Sequence, residues 1–262
     1  MAEFDSRAYG KAAAETYDAQ YPEMGQEDPM VRALATWAGR GPALELGIGT
    51  GRVAIPLARR GVPVDGIDVS EEMLAQLRSK VGKAPVRAMV ADMTDFRLDR
   101  TYSLVYVVFN TFYMAASAEG QANCFTTVAR HLEPGGLFVL QVFFPDLSRY
   151  HHNQSTMTHE VKEEAVYLEF SRLDPASQTI HQHQVTLSER GIRTKPIEIR
   201  FVWPNEMDLM ARCAGLRLKG RWGGWQKEPF TADSRGLYVA AYQKAGTPTR
   251  PSSGKSRKPR RG

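Results

Sequence analysis

The stretch Ala43-Leu-Glu-Leu-Gly-Ile-Gly-Thr-Gly-Arg52, followed by Val62-Pro-Val-Asp-Gly-Ile-Asp-Val-Ser70, decides the fold. Ala43 to Leu46 reads as a short strand, and Gly51 to Arg60 as a helix with apolar Val53, Ile55, Leu57 and Ala58. Glycines at 47, 49 and 51 permit a tight turn between the two and let a ligand approach the backbone without Cβ collisions. The free N–H groups of the helix point at whatever lies over that turn. Pro56 sits early in the helix, where a missing N–H is best tolerated. Val62 to Val69 is a second strand, and Asp68 at its end stands 17 residues beyond Gly51. A carboxylate there can accept both hydroxyls of a ribose, so the combination points to an adenosine-containing ligand. The dinucleotide pattern GxGxxG is not met, because Arg52 follows Gly51, and the Gly-Lys-Ser/Thr of a P-loop is absent.

Outward from this stretch, strands and helices alternate. Ser70 caps a helix reaching Lys80, with Glu71 and Glu72 in its first turn. Val86 to Val90, the almost wholly apolar Ser103 to Phe109, and Leu137 to Phe144 read as strands. A helix over Glu119 to Leu132 stops at Glu133-Pro-Gly-Gly136. Residues 8 to 20 and 29 to 39 read as helices ahead of the first strand. The alternation predicts a parallel sheet wound by right-handed crossovers. Beyond Pro145 the rhythm becomes period two, over Val161 to Ser171, Thr179 to Ser188 and Pro196 to Trp203. Three antiparallel strands are expected there, with Ile197, Ile199, Phe201 and Trp203 sharing a face. A helix over Asn205 to Ala214 and two strands, Leu216 to Trp222 and Gly236 to Gln243, close the sheet.

Composition narrows the function classes. The chain has 262 residues, 42% of them hydrophobic, enough for a sizeable core. No apolar run spans a bilayer and the N-terminus does not read as a signal peptide, so a cytoplasmic, membrane-free protein is expected. Two distant cysteines offer no zinc spacing, and no metal site is expected. The formal charge of +5 resides in the tail: residues 245–262 carry six basic residues and no acid. Without them 28 basic residues face 29 acidic ones, a neutral body that argues against a nucleic-acid partner. The tail, rich in Pro, Ser and Gly, reads as disordered.

Four motifs, in order, resemble those of the class I S-adenosylmethionine-dependent methyltransferases. Glu45-Leu-Gly-Ile-Gly-Thr-Gly-Arg52 looks like motif I, and Gly66-Ile-Asp-Val-Ser70 like motif II. Ala91-Asp-Met-Thr-Asp-Phe96 looks like the adenine-binding motif, and Leu132-Glu-Pro-Gly-Gly-Leu-Phe138 like the hairpin before strand five. The resemblance implies a Rossmann-like α/β methyltransferase sheet with N-terminal helices and an antiparallel β insert after strand five, and S-adenosylmethionine as cofactor. It implies that Glu45, Gly47 and Gly49 belong to the cofactor site, the glycines lying against the methionine part and ribose. Asp68 would take the ribose hydroxyls, Val69 pack near adenine, Asp92 and Met93 bind adenine, and Phe109 face the sulfonium. Taken singly, Gly47 and Gly49 could simply make a turn, and Asp92 could cap the segment after it.

Tyr17-Asp-Ala-Gln-Tyr21 is similar to the Tyr-Asp-x-x-Tyr segment of small-molecule N-methyltransferases of the amino-sugar and glycine types, which adds Tyr17 to the cofactor site. The resemblance divides the chain into a helical cap (1–40), a cofactor-binding core (41–149 and 204–244), a substrate-covering insert (150–203) and the tail (245–262). The Asn/Asp-Pro-Pro-aromatic and Pro-Cys motifs of base and glutamine methyltransferases are absent, which favours transfer to an N or O of a small metabolite. The alternatives are an RNA or protein methyltransferase anchored by the tail, and a non-methylating cyclase or scaffold of the same fold. Asn110 and Tyr113, at the end of strand four, are candidate substrate contacts. His181 and His183, on one face with Val185 and Leu187 if the segment is a strand, are candidate catalytic groups. The Trp222-Gly-Gly-Trp225 segment reads either as an aromatic lid wall or as packing. A homodimer is compatible with all of this.

Overall fold

The computed structural model describes residues 10, 14, 17–21, 23–232, 234 and 236–246. Most of the expected helix over 8–20, and the tail beyond residue 246, therefore lie outside the described residues; of that helix the model describes α1 (Tyr17–Gln20) and the buried Gly10 and Ala14.

The main sheet has seven strands: β1 (Ala43–Leu46), β2 (Val64–Asp68), β3 (Val86–Val90), β4 (Tyr102–Val107), β5 (Leu132–Phe143), β10 (Leu216–Trp222) and β11 (Leu237–Lys244). Their order is β10-β11-β5-β4-β1-β2-β3. Neighbours from β5 to β3 run parallel, while β11 is antiparallel to both β5 and β10. Period-two alternation along the central strands serves two cores. Leu44, Leu46, Val105 and Val107 meet Phe125 and Val128 of α5 (Ala118–His131) and Met207 of α6 (Pro204–Cys213). Ala43, Leu104 and Tyr106 meet Leu34 of α2 (Pro29–Ala38), Leu57 of α3 (Ala54–Arg59) and Leu74 of α4 (Glu71–Lys80). Burial on both faces explains why β4 reads as an unbroken apolar run.

Helix starts follow their caps. Asp28 accepts from the Met30 N–H ahead of Pro29, Ser70 from that of Met73, and Ser117 from that of Gly120. From β1 the chain passes to β2 on one side, and β4 flanks β1 on the other. That reversal opens a crevice at the carboxyl ends of β1 and β4, where ligands bind in open α/β sheets.

The insert is a separate antiparallel sheet of four strands rather than three: β6 (Gln154–Val161), β7 (Ala165–Asp174), β8 (Thr179–Ser188) and β9 (Gly191–Arg200), in that order. The missed strand β6 is an edge strand whose residues are mostly exposed, so it has no apolar alternation to read. The last strand begins at Gly191, not Pro196, and ends before Phe201 and Trp203. No described helix is long and apolar enough to cross a membrane.

Candidate functional site

The turn after β1 is left-handed at both Gly47 (φ 69°) and Gly49 (φ 53°), a conformation that costs L side chains strain. The two glycines differ in what surrounds them. A Cβ on Gly47 would lie 2.4 Å from Thr111 Cγ2, whereas a Cβ on Gly49 would meet nothing within 4 Å. Gly47 is thus required by packing, and Gly49 borders open space. That space is a cavity of about 400 Å³, walled by Gly47, Gly49, Asp68, Val69, Asp92, Met93 and Phe109.

Asp68 ends β2 with both carboxylate oxygens engaged. Oδ2 accepts the Gly49 N–H at 2.9 Å and Oδ1 the Ser70 N–H at 2.9 Å. Burial pushes its pKa up, and these backbone donors pull it back. Each oxygen keeps acceptor capacity for a further donor. Asp92 lines the same cavity, and its Oδ1 accepts from the Thr94 N–H and hydroxyl, both at 2.8 Å. It therefore caps the following turn while facing the cavity.

A second cavity of about 510 Å³ adjoins the first, the two sharing Tyr17, Phe109 and Met114 in their walls. Phe109 (φ 55°) and Asn110 (φ 66°) are consecutive non-glycine residues in the left-handed region. Such strain persists only where surrounding contacts hold it. Here the Phe109 N–H donates to Gln141 Oε1, the Asn110 N–H to the Gln141 carbonyl, and Asn110 Oδ1 accepts the Phe143 N–H at 2.7 Å. Asn110 lines the second cavity with its carboxamide committed to the backbone of β5. The Arg52 guanidinium lies 4.4 Å from the Phe109 ring centroid and 5.6 Å from that of Tyr21. Burial pushes the Tyr17 hydroxyl up to about 12, against the opposing pull of Arg52. Tyr17 is therefore a neutral phenol near pH 7.

The insert forms the outer wall of this second cavity. Ile180, Gln182 and Gln184 on β8, Ile197 and Ile199 on β9, and Glu169 on β7 all face it. Glu169 is 6% exposed, with Oε1 3.2 Å from Arg149 and Oε2 3.1 Å from His159. The cavity thus mixes apolar side chains with several polar ones.

Three expectations need correction. His181 and His183 do not line the cavity: the even residues of β8 do, so the imidazoles lie on the opposite face. Apolar residues occur at both parities of β8, and Val185 and Leu187 suggested the wrong one. Tyr113 is fully buried behind the cavity wall, where its hydroxyl donates to the Phe143 carbonyl at 2.9 Å. Glu45 lies beneath the glycine turn and not in either cavity wall, accepting from the Tyr106 hydroxyl at 2.9 Å. Trp222 and Trp225 pack on Trp37 at centroid distances of 5.7 and 5.9 Å, half-buried against the core of the α2–α4 face. Residues that sequence reading missed include Arg52, Glu169, Gln182 and Gln184. Only the β8 alternation carried a signal for any of them.

Burial raises the Glu45 pKa from the usual 4.5 to about 8, with Tyr106 opposing the shift. The folded protein then binds this proton more tightly than the unfolded chain, so stability falls as pH rises from about 4.5 to about 8 and levels off above. Glu45→Gln keeps an acceptor for Tyr106 and cannot titrate. Thermal melts from pH 5 to 8.5 should show a flatter profile for the variant, which gains on the parent as pH rises. Parallel profiles would show that Glu45 does not carry this dependence.

Comparison with known proteins matches this geometry. Residues 43–136 match the family model described as a methyltransferase domain. The solved structure of the CcbJ methyltransferase from Streptomyces caelestis is 37% identical, with a TM-score of 0.84, covering 93% of this chain and 100% of that one. A cypemycin N-terminal methyltransferase of a Streptomyces species is 29% identical over 90% of this chain and 97% of its own length. The dTDP-3-amino-3,4,6-trideoxy-alpha-D-glucopyranose N,N-dimethyltransferase of Streptomyces venezuelae is 26% identical over 75% of this chain and 81% of its own. With the glycine turn, the carboxylate at the end of β2 and a relative of this identity along nearly its whole length, the chain belongs to the S-adenosylmethionine-dependent methyltransferases.

Proposed function

We propose that the protein is a cytoplasmic enzyme of specialised metabolism that methylates a nitrogen atom of a small molecule. The observation that carries this reading is the second cavity: about 510 Å³, walled by the insert, and meeting the cofactor cavity at Tyr17, Phe109 and Met114. Its volume lies in the range of small-molecule sites. The methylated nitrogen is carried over from the names of the cypemycin and amino-sugar relatives.

The cofactor cavity fits S-adenosylmethionine. Gly49 leaves room for its backbone approach, Asp68 retains acceptor capacity for ribose hydroxyls, and Val69, Asp92 and Met93 border the place for adenine. The chemistry the cofactor supplies when bound is an electrophilic methyl group on a sulfonium. The protein's part is to hold an acceptor in line with that group and to keep water out. Phe109, Tyr17 and Met114 form the junction at which the two ligands meet. Tyr17 stays protonated, so it orients the acceptor by hydrogen bonding and does not remove its proton. A neutral amine brings its own lone pair and needs no base to create one. Glu169, Gln182 and Gln184 would hold polar groups of the acceptor away from the reacting atom.

The test is calorimetry with S-adenosylhomocysteine, followed by a screen of metabolite-sized amines for S-adenosylhomocysteine release and a 14-dalton mass gain on nitrogen (one methylene, as the methyl replaces a proton). Saturable binding and N-methyl product are expected, and turnover should survive removal of residues 247–262. Turnover that requires that segment and an RNA or protein acceptor would overturn the reading.

A further inference from the structure

The last strand of the insert, β9, serves both cavities. Ile197 and Ile199 of β9 line the acceptor cavity, while Glu198 between them points the other way and lines the cofactor cavity. Alternation along one strand thus sends two isoleucines to one cavity and a carboxylate to the other. We infer that Glu198 is a cofactor-binding residue supplied by the insert, accepting a hydrogen bond from the exocyclic amino group of adenine, and that His181 is its positioning residue.

The placement comes from how β9 is anchored. Arg200, two residues along the strand on the same side as Glu198, is 8% exposed and donates to Gln121 Oε1 at 2.6 Å. Gln121 is fully buried and returns its own N–H to the Arg200 carbonyl at 2.6 Å. Arg200 also pairs with Glu206 of α6 at 2.7 Å, so the end of β9 is held against the start of α5 by Gln121 and against α6 by Glu206. Ser117 and Gly120, at that start, line the cofactor cavity together with Thr94, the residue on which Asp92 closes its turn. Glu198 therefore enters at the Asp92–Thr94 end of the cavity. Asp68 and Gly49 occupy the part suited to ribose.

Glu198 is also oriented. His181 is its direct cross-strand partner on β8, and His181 Nδ1 lies 2.9 Å from Glu198 Oε2. Both side chains are about a quarter exposed, at 26% and 25%. One carboxylate oxygen is thereby fixed by the imidazole, leaving Oε1 to accept from a ligand donor. The donors on the cofactor are the ribose hydroxyls, the ammonium of its amino-acid part and the adenine amino group; the first two belong with Asp68 and the glycine turn, and the adenine amino group belongs at this end. The histidine first read as a catalytic group on the insert thus gains a role through a carboxylate on the cofactor side.

The experiment compares two ligands by calorimetry on the full chain: S-adenosylhomocysteine, and S-inosylhomocysteine, which carries a carbonyl oxygen in place of the amino group. Glu198→Gln should weaken S-adenosylhomocysteine by about tenfold, the worth of one hydrogen bond to a charged group. The same variant should leave S-inosylhomocysteine unchanged or bind it more tightly, because the new amide can donate to the carbonyl. His181→Leu should lose part of the preference for the adenine form, and His181→Asn, which restores a donor near the Nδ1 position, should recover it. Comparing two ligands on one variant separates recognition from any general loss of fold. An equal loss for both ligands, or adenine-form binding within about twofold of the parent, would overturn the inference.

Discussion

Asp68→Ala is expected to weaken S-adenosylhomocysteine binding by about 100-fold or more, since two charge-assisted hydrogen bonds to ribose are lost at about 1.5–3 kcal/mol each. The carboxylate also organises the turn, because it ties the Gly49 N–H on one oxygen and the Ser70 N–H on the other. Removing it frees the glycine loop as well as the ligand contact, so the loss in affinity should exceed that in stability. Asp68→Asn retains one carbonyl acceptor and should fall between alanine and the parent. Burial raises the Asp68 pKa, so the parent should lose affinity as pH drops through that raised value, while the asparagine variant should not. Calorimetry of the three proteins, with melting temperatures alongside, gives the comparison. An alanine variant that binds within about threefold of the parent would remove Asp68 from the cofactor site.

What could be read in the sequence is what depends on local spacing. The glycines at 47, 49 and 51 and the acid at 68 sit in a turn and at a strand end, and their geometry follows from a few consecutive dihedrals. The parallel sheet was legible because β4 and the second half of β5, from Leu137, are largely buried on both faces and so are mostly apolar. The insert was legible only as a change of rhythm. Its edge strand β6 carries polar and apolar residues without alternation, since solvent covers most of it. The inner face of β8 was misjudged because Ile180 is even and Val185 odd, and both are buried. Local pattern cannot choose between two apolar faces; the choice is made by what packs on each. Tyr113 shows a related failure, since the strained Phe109–Asn110 turn sends the chain into a short helix that buries the tyrosine beneath β5. Arg149, His159 and Glu169, of which Arg149 and Glu169 line the acceptor cavity, meet from a short helix and two strands, and no sequence spacing announces it.

The division of labour between the two cavities leads to the second large effect. Gln182→Trp should lower methyl transfer by about 100-fold or more, the cost of displacing an acceptor from its reactive alignment by roughly an ångström. Gln182 is half-buried on the inner face of β8, opposite Ile197, and lines the acceptor cavity alone. An indole there enters open space and not a packed core, so overpacking strain is small and the fold should be retained. Because Gln182 is absent from the cofactor wall, S-adenosylhomocysteine should bind with unchanged affinity. The measurement is turnover of the amine identified by screening, set beside calorimetry and a thermal melt of the same preparation. Turnover at the parent rate would show that the acceptor does not use this cavity. A matched loss of cofactor affinity would show that the two cavities are one site, with the insert closing over the cofactor and not over the acceptor.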